Sequence, residues 1–99
     1  MKVRWTHEAL ERLIEIEEFI AKDRSARAAL FVEQIIAHAE VTLPGNPQVG
    51  RTVPEIANPD IRELIFRRYR IIYRLMGDTI EILTVFEGHR LLRVDEIES

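Results

Sequence analysis

Five arginines fall within residues 61–75, in the run IRELIFRRYRIIYRL, with Glu63 as the single acid among them. A guanidinium is planar and permanently charged. It can donate two parallel hydrogen bonds to a carboxylate or phosphate while its stem packs on apolar surface. Arg62, Arg67, Arg68, Arg70 and Arg74, interleaved with Ile, Leu, Phe and Tyr, therefore suit a localised anionic partner that also offers apolar surface. A second candidate is EGHR, residues 87–90, which follows a run of strand character. There His89 could act as an acid or base near neutral pH. Plain loop polarity accounts for His89 as well, and any one arginine is commonly solvated or paired with a surface acid. His7 and His38 read as ordinary helix-surface residues. There is no cysteine, and only three histidines occur. Disulfides and thiolate metal sites are thereby excluded, and no metal or other cofactor is expected. No phosphate-binding glycine loop, Ser/His/Asp set or zinc motif is present.

The elements that must position these side chains follow from periodicity. KVRW reads as a short strand with Val3 and Trp5 on one face. Thr6 suits a helix N-cap, with Glu8 in the first turn. Leu10, Leu13, Ile14, Ile16, Phe19 and Ile20 recur at helical spacing to about Ala21. KDRS interrupts that helix. A second helix carries Ala28, Phe31, Val32, Ile35, Ile36 and Ala39 and should stop before Pro44, giving an antiparallel helical hairpin. Residues 44–60 hold all four prolines and read as one ordered surface loop. IRELIFR, YRIIYRLM and TIEILTVFE have strand composition. Gly77-Asp78 suits a two-residue hairpin turn.

That turn predicts a register in which Met76 opposes Thr79, Arg74 opposes Glu81, Ile72 opposes Leu83 and Arg70 opposes Val85. One face, with Tyr69, Ile71, Tyr73 and Leu75 against Ile80, Ile82, Thr84 and Phe86, is nearly all apolar and should lie under the helices. The other mixes Arg70, Arg74 and Glu81 with Ile72, Leu83 and Val85. Arg74 has Glu81 as a cross-strand acid, whereas Arg70 reaches only diagonally to Glu63 or Glu87. With Arg62, Arg67, Arg68 and Arg90, this second face is the expected partner-binding surface.

The fold class expected is α+β, in the order β-α-α-β-β-β: an N-terminal strand, then a helical hairpin packed on one face of a small, largely antiparallel sheet. Ninety-nine residues, 46% apolar and 31% charged, suit a single domain over residues 1–99. Neither a signal peptide nor a membrane span is expected, and the composition fits a cytoplasmic protein. The net charge of −3 hides a local basic stripe, because residues 1–60 carry seven bases against ten acids. A stripe on an acidic chain argues for a localised partner rather than general nucleic-acid coating.

Four stretches in order, VRWTHEALERLIEIEEFIA, VGRTVPEIANPDIREL, YRIIYRL and ILTVFEGHR, resemble the RelE/ParE superfamily of bacterial toxins, closest to its ParE branch. The resemblance spans residues 3 to about 93. It implies a plasmid-stabilisation type of toxin held inactive by a cognate antitoxin, itself a small protein with a DNA-binding head and a helical tail. Operator DNA would be reached only through that antitoxin. ParE-like members are associated with poisoning of DNA gyrase, and RelE-like members cut messenger RNA in the ribosome. Against the RelE pattern, Arg70 and Arg90 match two arginines, but the lysine positions are not matched and no tyrosine follows Tyr73. Glu63 as base with His89 as acid would resemble the pairing of some other members, if both converge near Arg70. A binding toxin is the favoured reading, ahead of a metal-independent ribonuclease. A non-toxic interaction module is the third.

Overall fold

The computed structural model describes residues 1–88. Its elements are β1 (Lys2–Trp5), α1 (His7–Gly45), β2 (Arg51–Thr52), β3 (Ile61–Phe66), β4 (Tyr69–Met76) and β5 (Thr79–Glu87). A straight helix of this length would reach about 58 Å at 1.5 Å per residue. The molecule spans only 38 × 27 × 22 Å. Non-helical backbone at Arg24 (φ −142°, ψ 68°) divides α1 into two arms, within the KDRS interruption that the sequence marks. Thr6 caps the first arm as expected: its hydroxyl oxygen accepts from the Ala9 amide at 3.1 Å. The second arm runs further than expected, with Pro44 inside its final turn. A proline there forfeits one hydrogen bond at the end of the ladder, not one in its middle.

The sheet order is β1-β5-β4-β3-β2. β1 lies parallel to β5, and the other pairs are antiparallel. Both arms of α1 cover one face. Leu13, Ile16, Val32, Ile35, Ala39 and Leu43 meet Leu64, Ile71, Tyr73, Ile80 and Ile82 there. This is the α+β arrangement expected, with a hairpin on a small and largely antiparallel sheet.

The opposite face differs from expectation. Residues 44–60 are not merely a surface loop, because Val53 and Ile56 cross the sheet and close a second apolar cluster with Ile61, Ile72, Leu83 and Phe86. The register also changes along β5. Arg74 faces Glu81 and Met76 faces Thr79, as the turn predicts, but Tyr73 faces Ile82 while Ile72 faces Thr84. Leu83 is thus an extra residue, a β-bulge, and beyond it the two faces of β5 exchange. Val85, expected on the uncovered face, enters the core beneath the helices, and Phe86 moves to the second cluster. Arg70 consequently faces Phe86 and not Val85. The bulge is held from the helix side: the Thr6 hydroxyl donates to the Leu83 carbonyl at 3.0 Å.

Candidate functional site

Arg70 stands at the centre of the second face and is 6% exposed. Strand β4 aims it away from the helices, and the loop from β2 to β3 closes over it. Its Nε donates to Glu63 Oε1 at 2.6 Å, and its Nη1 and Nη2 donate to the two oxygens of Glu55, each at 2.9 Å. The guanidinium also lies 5.4 Å from the ring centroid of Phe86. Glu63, 1% exposed, accepts on its other oxygen from Arg51 Nε. The result is a chain of alternating charge, Glu55–Arg70–Glu63–Arg51, whose inner members are out of water. Hydrogen bonding to Glu55 raises the Arg70 guanidinium above its ordinary value. Burial pulls the other way and Glu63 adds to the rise. The expected picture of Arg70 waiting for an external partner is therefore corrected, because two acids of its own chain already hold it. Glu63 was within the diagonal reach foreseen from the strands. Glu55 was not, since nothing in strand register ties a residue between Pro54 and Pro59 to β4.

The other arginines diverge. Arg62 points toward the helix side of the sheet, where its Nη1 donates to the Gly50 carbonyl at 2.9 Å. Arg74 is half-buried and lies across from Glu81, but Glu81 forms its ion pair with Arg4 of β1. The buried Nε atoms of Arg62 and Arg74 have no hydrogen-bond partner. Arg67 and Arg68 form the tight turn between β3 and β4 and are both exposed. Arg67 adopts a positive φ of 55°, a conformation that favours glycine. Its guanidinium sits 5.4 Å from the centroid of Phe66 and 6.0 Å from that of Phe31, so ring contacts help hold an otherwise strained turn. Ile72 and Val85 are fully buried, and Leu83 is nearly so. None of the three offers the apolar surface expected of it. His89 and Arg90 lie outside the described residues.

Tyr73 pins the loop to the sheet. Its hydroxyl accepts from the Gly50 amide at 2.9 Å and donates to the Pro47 carbonyl at 2.8 Å. Burial pushes this phenol above its ordinary value, with the Gly50 hydrogen bond and Arg62 acting in the opposite sense. Gly50 is required by the close approach: a Cβ there would stand 2.5 Å from the Glu63 carbonyl oxygen and 2.6 Å from the Tyr73 hydroxyl.

Among the described residues no helix is long and apolar enough to cross a membrane, and no group of three or more His, Cys, Asp or Glu could hold a metal ion.

Residues 3–92 match the family described as "ParE toxin of type II toxin-antitoxin system, parDE". A Sinorhizobium fredii (strain NBRC 101917 / NGR234) protein named "Putative toxin Y4kP" is 38% identical over 93 residues, covering 90% of each chain. Among solved structures, the "Chromosomal ParDE TA system from P. aeruginosa" aligns with a TM-score of 0.74 at 22% identity, over 88% of this chain and 95% of that one. At that identity the last likeness speaks for the fold.

Proposed function

Because the chain belongs to the ParE toxin family of type II toxin–antitoxin systems, we propose that it acts by protein–protein binding in the cytoplasm, poisons DNA gyrase, and is neutralised by a cognate antitoxin. That antitoxin would have a DNA-binding head and a helical tail, and operator DNA would be engaged only through it. The observation that carries the binding reading is the occupancy of Glu63 and Arg70. A ribonuclease of the related type needs a base and a cation free to approach a scissile phosphate. Here Glu63 is 1% exposed between two guanidiniums, and both oxygens of Glu55 occupy Arg70. Arg67 and Arg68 stay on the surface as cations for a protein partner, while Arg62 and Arg74 are half-buried at the other end of the β3–β4 ladder.

The test is expression of the chain with and without the protein encoded beside it. Growth should stop without the neighbour and resume with it. Purified chain should inhibit gyrase supercoiling and leave ribosome-bound messenger intact. Cleavage of that messenger would replace this reading with the ribonuclease one, and normal growth without the neighbour would leave an interaction module.

A further inference from the structure

The loop of residues 46–60 closes only part of the second face, over Ile61, Ile72, Leu83 and Phe86. Toward β1 and the β4–β5 turn the same face carries charge instead. Arg4, Glu81 and Arg74 lie side by side across β1, β5 and β4, and Lys2, Thr79 and Met76 form the next row. One acid thus stands between two arginines, and it is taken: Glu81 pairs with Arg4. Arg74 is left over. It is half-buried, its buried Nε has no hydrogen-bond partner, and among the described residues it makes no ion pair. A guanidinium drawn partly out of water with a donor unmet points to an acceptor from outside the chain. Arg4 meets Glu81 through Nη2, and its side chain is 62% exposed. Lys2 is exposed beside it.

We infer that this end of the sheet rests on the phosphate backbone of duplex DNA, held by Arg74, Arg4 and Lys2. Lys2 and Arg4 stand about 7 Å apart along β1, and Arg4 and Arg74 about 10 Å apart across two strand spacings. The three can therefore meet different phosphates. The large apolar residues of this face, Ile61, Ile72 and Leu83, are buried, so little is offered to an amphipathic peptide. Proteins that hold single strands stack the bases on exposed rings. Here Phe86 is buried, and Trp5 is turned toward α1, where it donates to Glu40 at 3.1 Å. That leaves a duplex, gripped by its backbone. The net charge of −3 does not oppose this, because Glu11, Glu15, Glu17 and Glu18 sit on α1, across the sheet. Asp60 and Asp78 stand at the rim, their carbonyls accepting from the Leu75 and Lys2 amides, and keep the contact to a few phosphates. The choice of DNA over duplex RNA rests on the reading of gyrase as the target; the charge pattern does not.

The probe is a fluorescent DNA duplex of mixed sequence, titrated with the full chain at several salt concentrations and with no gyrase present. DNA binding and gyrase inhibition are thus read separately, and either can fail alone. The logarithm of the binding constant should fall with that of salt at a slope of about −2 to −3, for two to three phosphates. Arg74→Gln should lower the slope by about 1 and weaken binding several-fold, and the surface change Lys2→Gln should do the same. Glu81→Gln removes the one acid of the row and should tighten binding several-fold. Lys22→Gln, on α1, should bind as the parent does. Each variant is first checked for unchanged thermal unfolding. The inference is overturned if the parent chain does not bind the duplex, or if Lys22→Gln weakens binding as much as Lys2→Gln. It is also overturned if Glu81→Gln binds no more tightly, if an oligothymidylate or duplex RNA binds better than duplex DNA, or if an acidic peptide displaces the duplex from the amides of Arg4 and Arg74.

Discussion

Arg70 shows how much a single side chain's environment decides. A buried charge is tolerable only when its donors are met, and here all three donating nitrogens meet carboxylate oxygens. Removing one partner should therefore cost more than removing the pair. Glu63→Leu is expected to destabilise by about 3 kcal/mol in urea unfolding. The double replacement Arg70→Met/Glu63→Leu should recover a good part of that loss, because half-exposed Glu55 and exposed Arg51 can turn to water. A double variant less stable than the single one would contradict this account. Tyr73 supplies a pH prediction. A phenol held above its ordinary value of about 10 binds its proton more tightly in the folded chain than in the unfolded one. Stability should be level below about pH 10 and fall as the pH climbs through the raised value. Tyr73→Phe should lose about 1–3 kcal/mol at neutral pH with its two hydrogen bonds, and its alkaline decline should be shallower. Burial raises Tyr69 as well, with Glu87 adding to the effect, so some decline should persist.

At the scale of elements, the loop of residues 46–60 and the bulge in β5 do most to shape the second face. The loop is fastened by Tyr73 at one end and by Glu55 on Arg70 at the other, with Val53 buried and Ile56 half-buried against the second cluster. Gly50→Ala would push a methyl into the Glu63 carbonyl and the Tyr73 hydroxyl. The expected loss is about 2 kcal/mol, with faster amide exchange across residues 47–56 than in α1. Uniform exchange would mean the loop is not pinned there. Thr6 joins α1 to the bulge, since one hydroxyl accepts from Ala9 and donates to Leu83. Thr6→Val should cost about 1–2 kcal/mol and Thr6→Ser much less, as read from denaturant midpoints.

For the whole molecule, the two apolar clusters sit on opposite sides of one sheet and share β3, β4 and β5 as their common wall. Neither face can be lost without exposing the other's strands, so the chain should unfold as one cooperative unit. Trp5 fluorescence reports the β1 edge, and far-ultraviolet circular dichroism reports mainly α1. Their urea transitions should coincide, and separate midpoints would show that the helical hairpin and the sheet melt independently. Charge is also distributed at this scale. Acids crowd the first arm of α1, while Arg27, Arg67 and Arg68 gather where the second arm meets the turn between β3 and β4, so the net value describes neither region.

The local elements were legible from residues alone because short-range rules govern them. Thr6 caps, KDRS interrupts, Gly77 takes the positive φ of a two-residue turn (59°), and alternation marks three strands. The family was legible too, carried by four stretches in order. What the arginines do was not. Pairing arithmetic assumes an unbroken ladder, and one extra residue at Leu83 exchanges the faces of Val85 and Phe86 without any mark in composition. Loop residues have no period from which to infer a landing place, so Glu55 on Arg70 and Val53 on Ile72 emerge only when distant segments share one volume. Local preference is set by neighbours along the chain. Burial and ion pairing are set by neighbours in space, and for Arg70 the tertiary structure alone chose them.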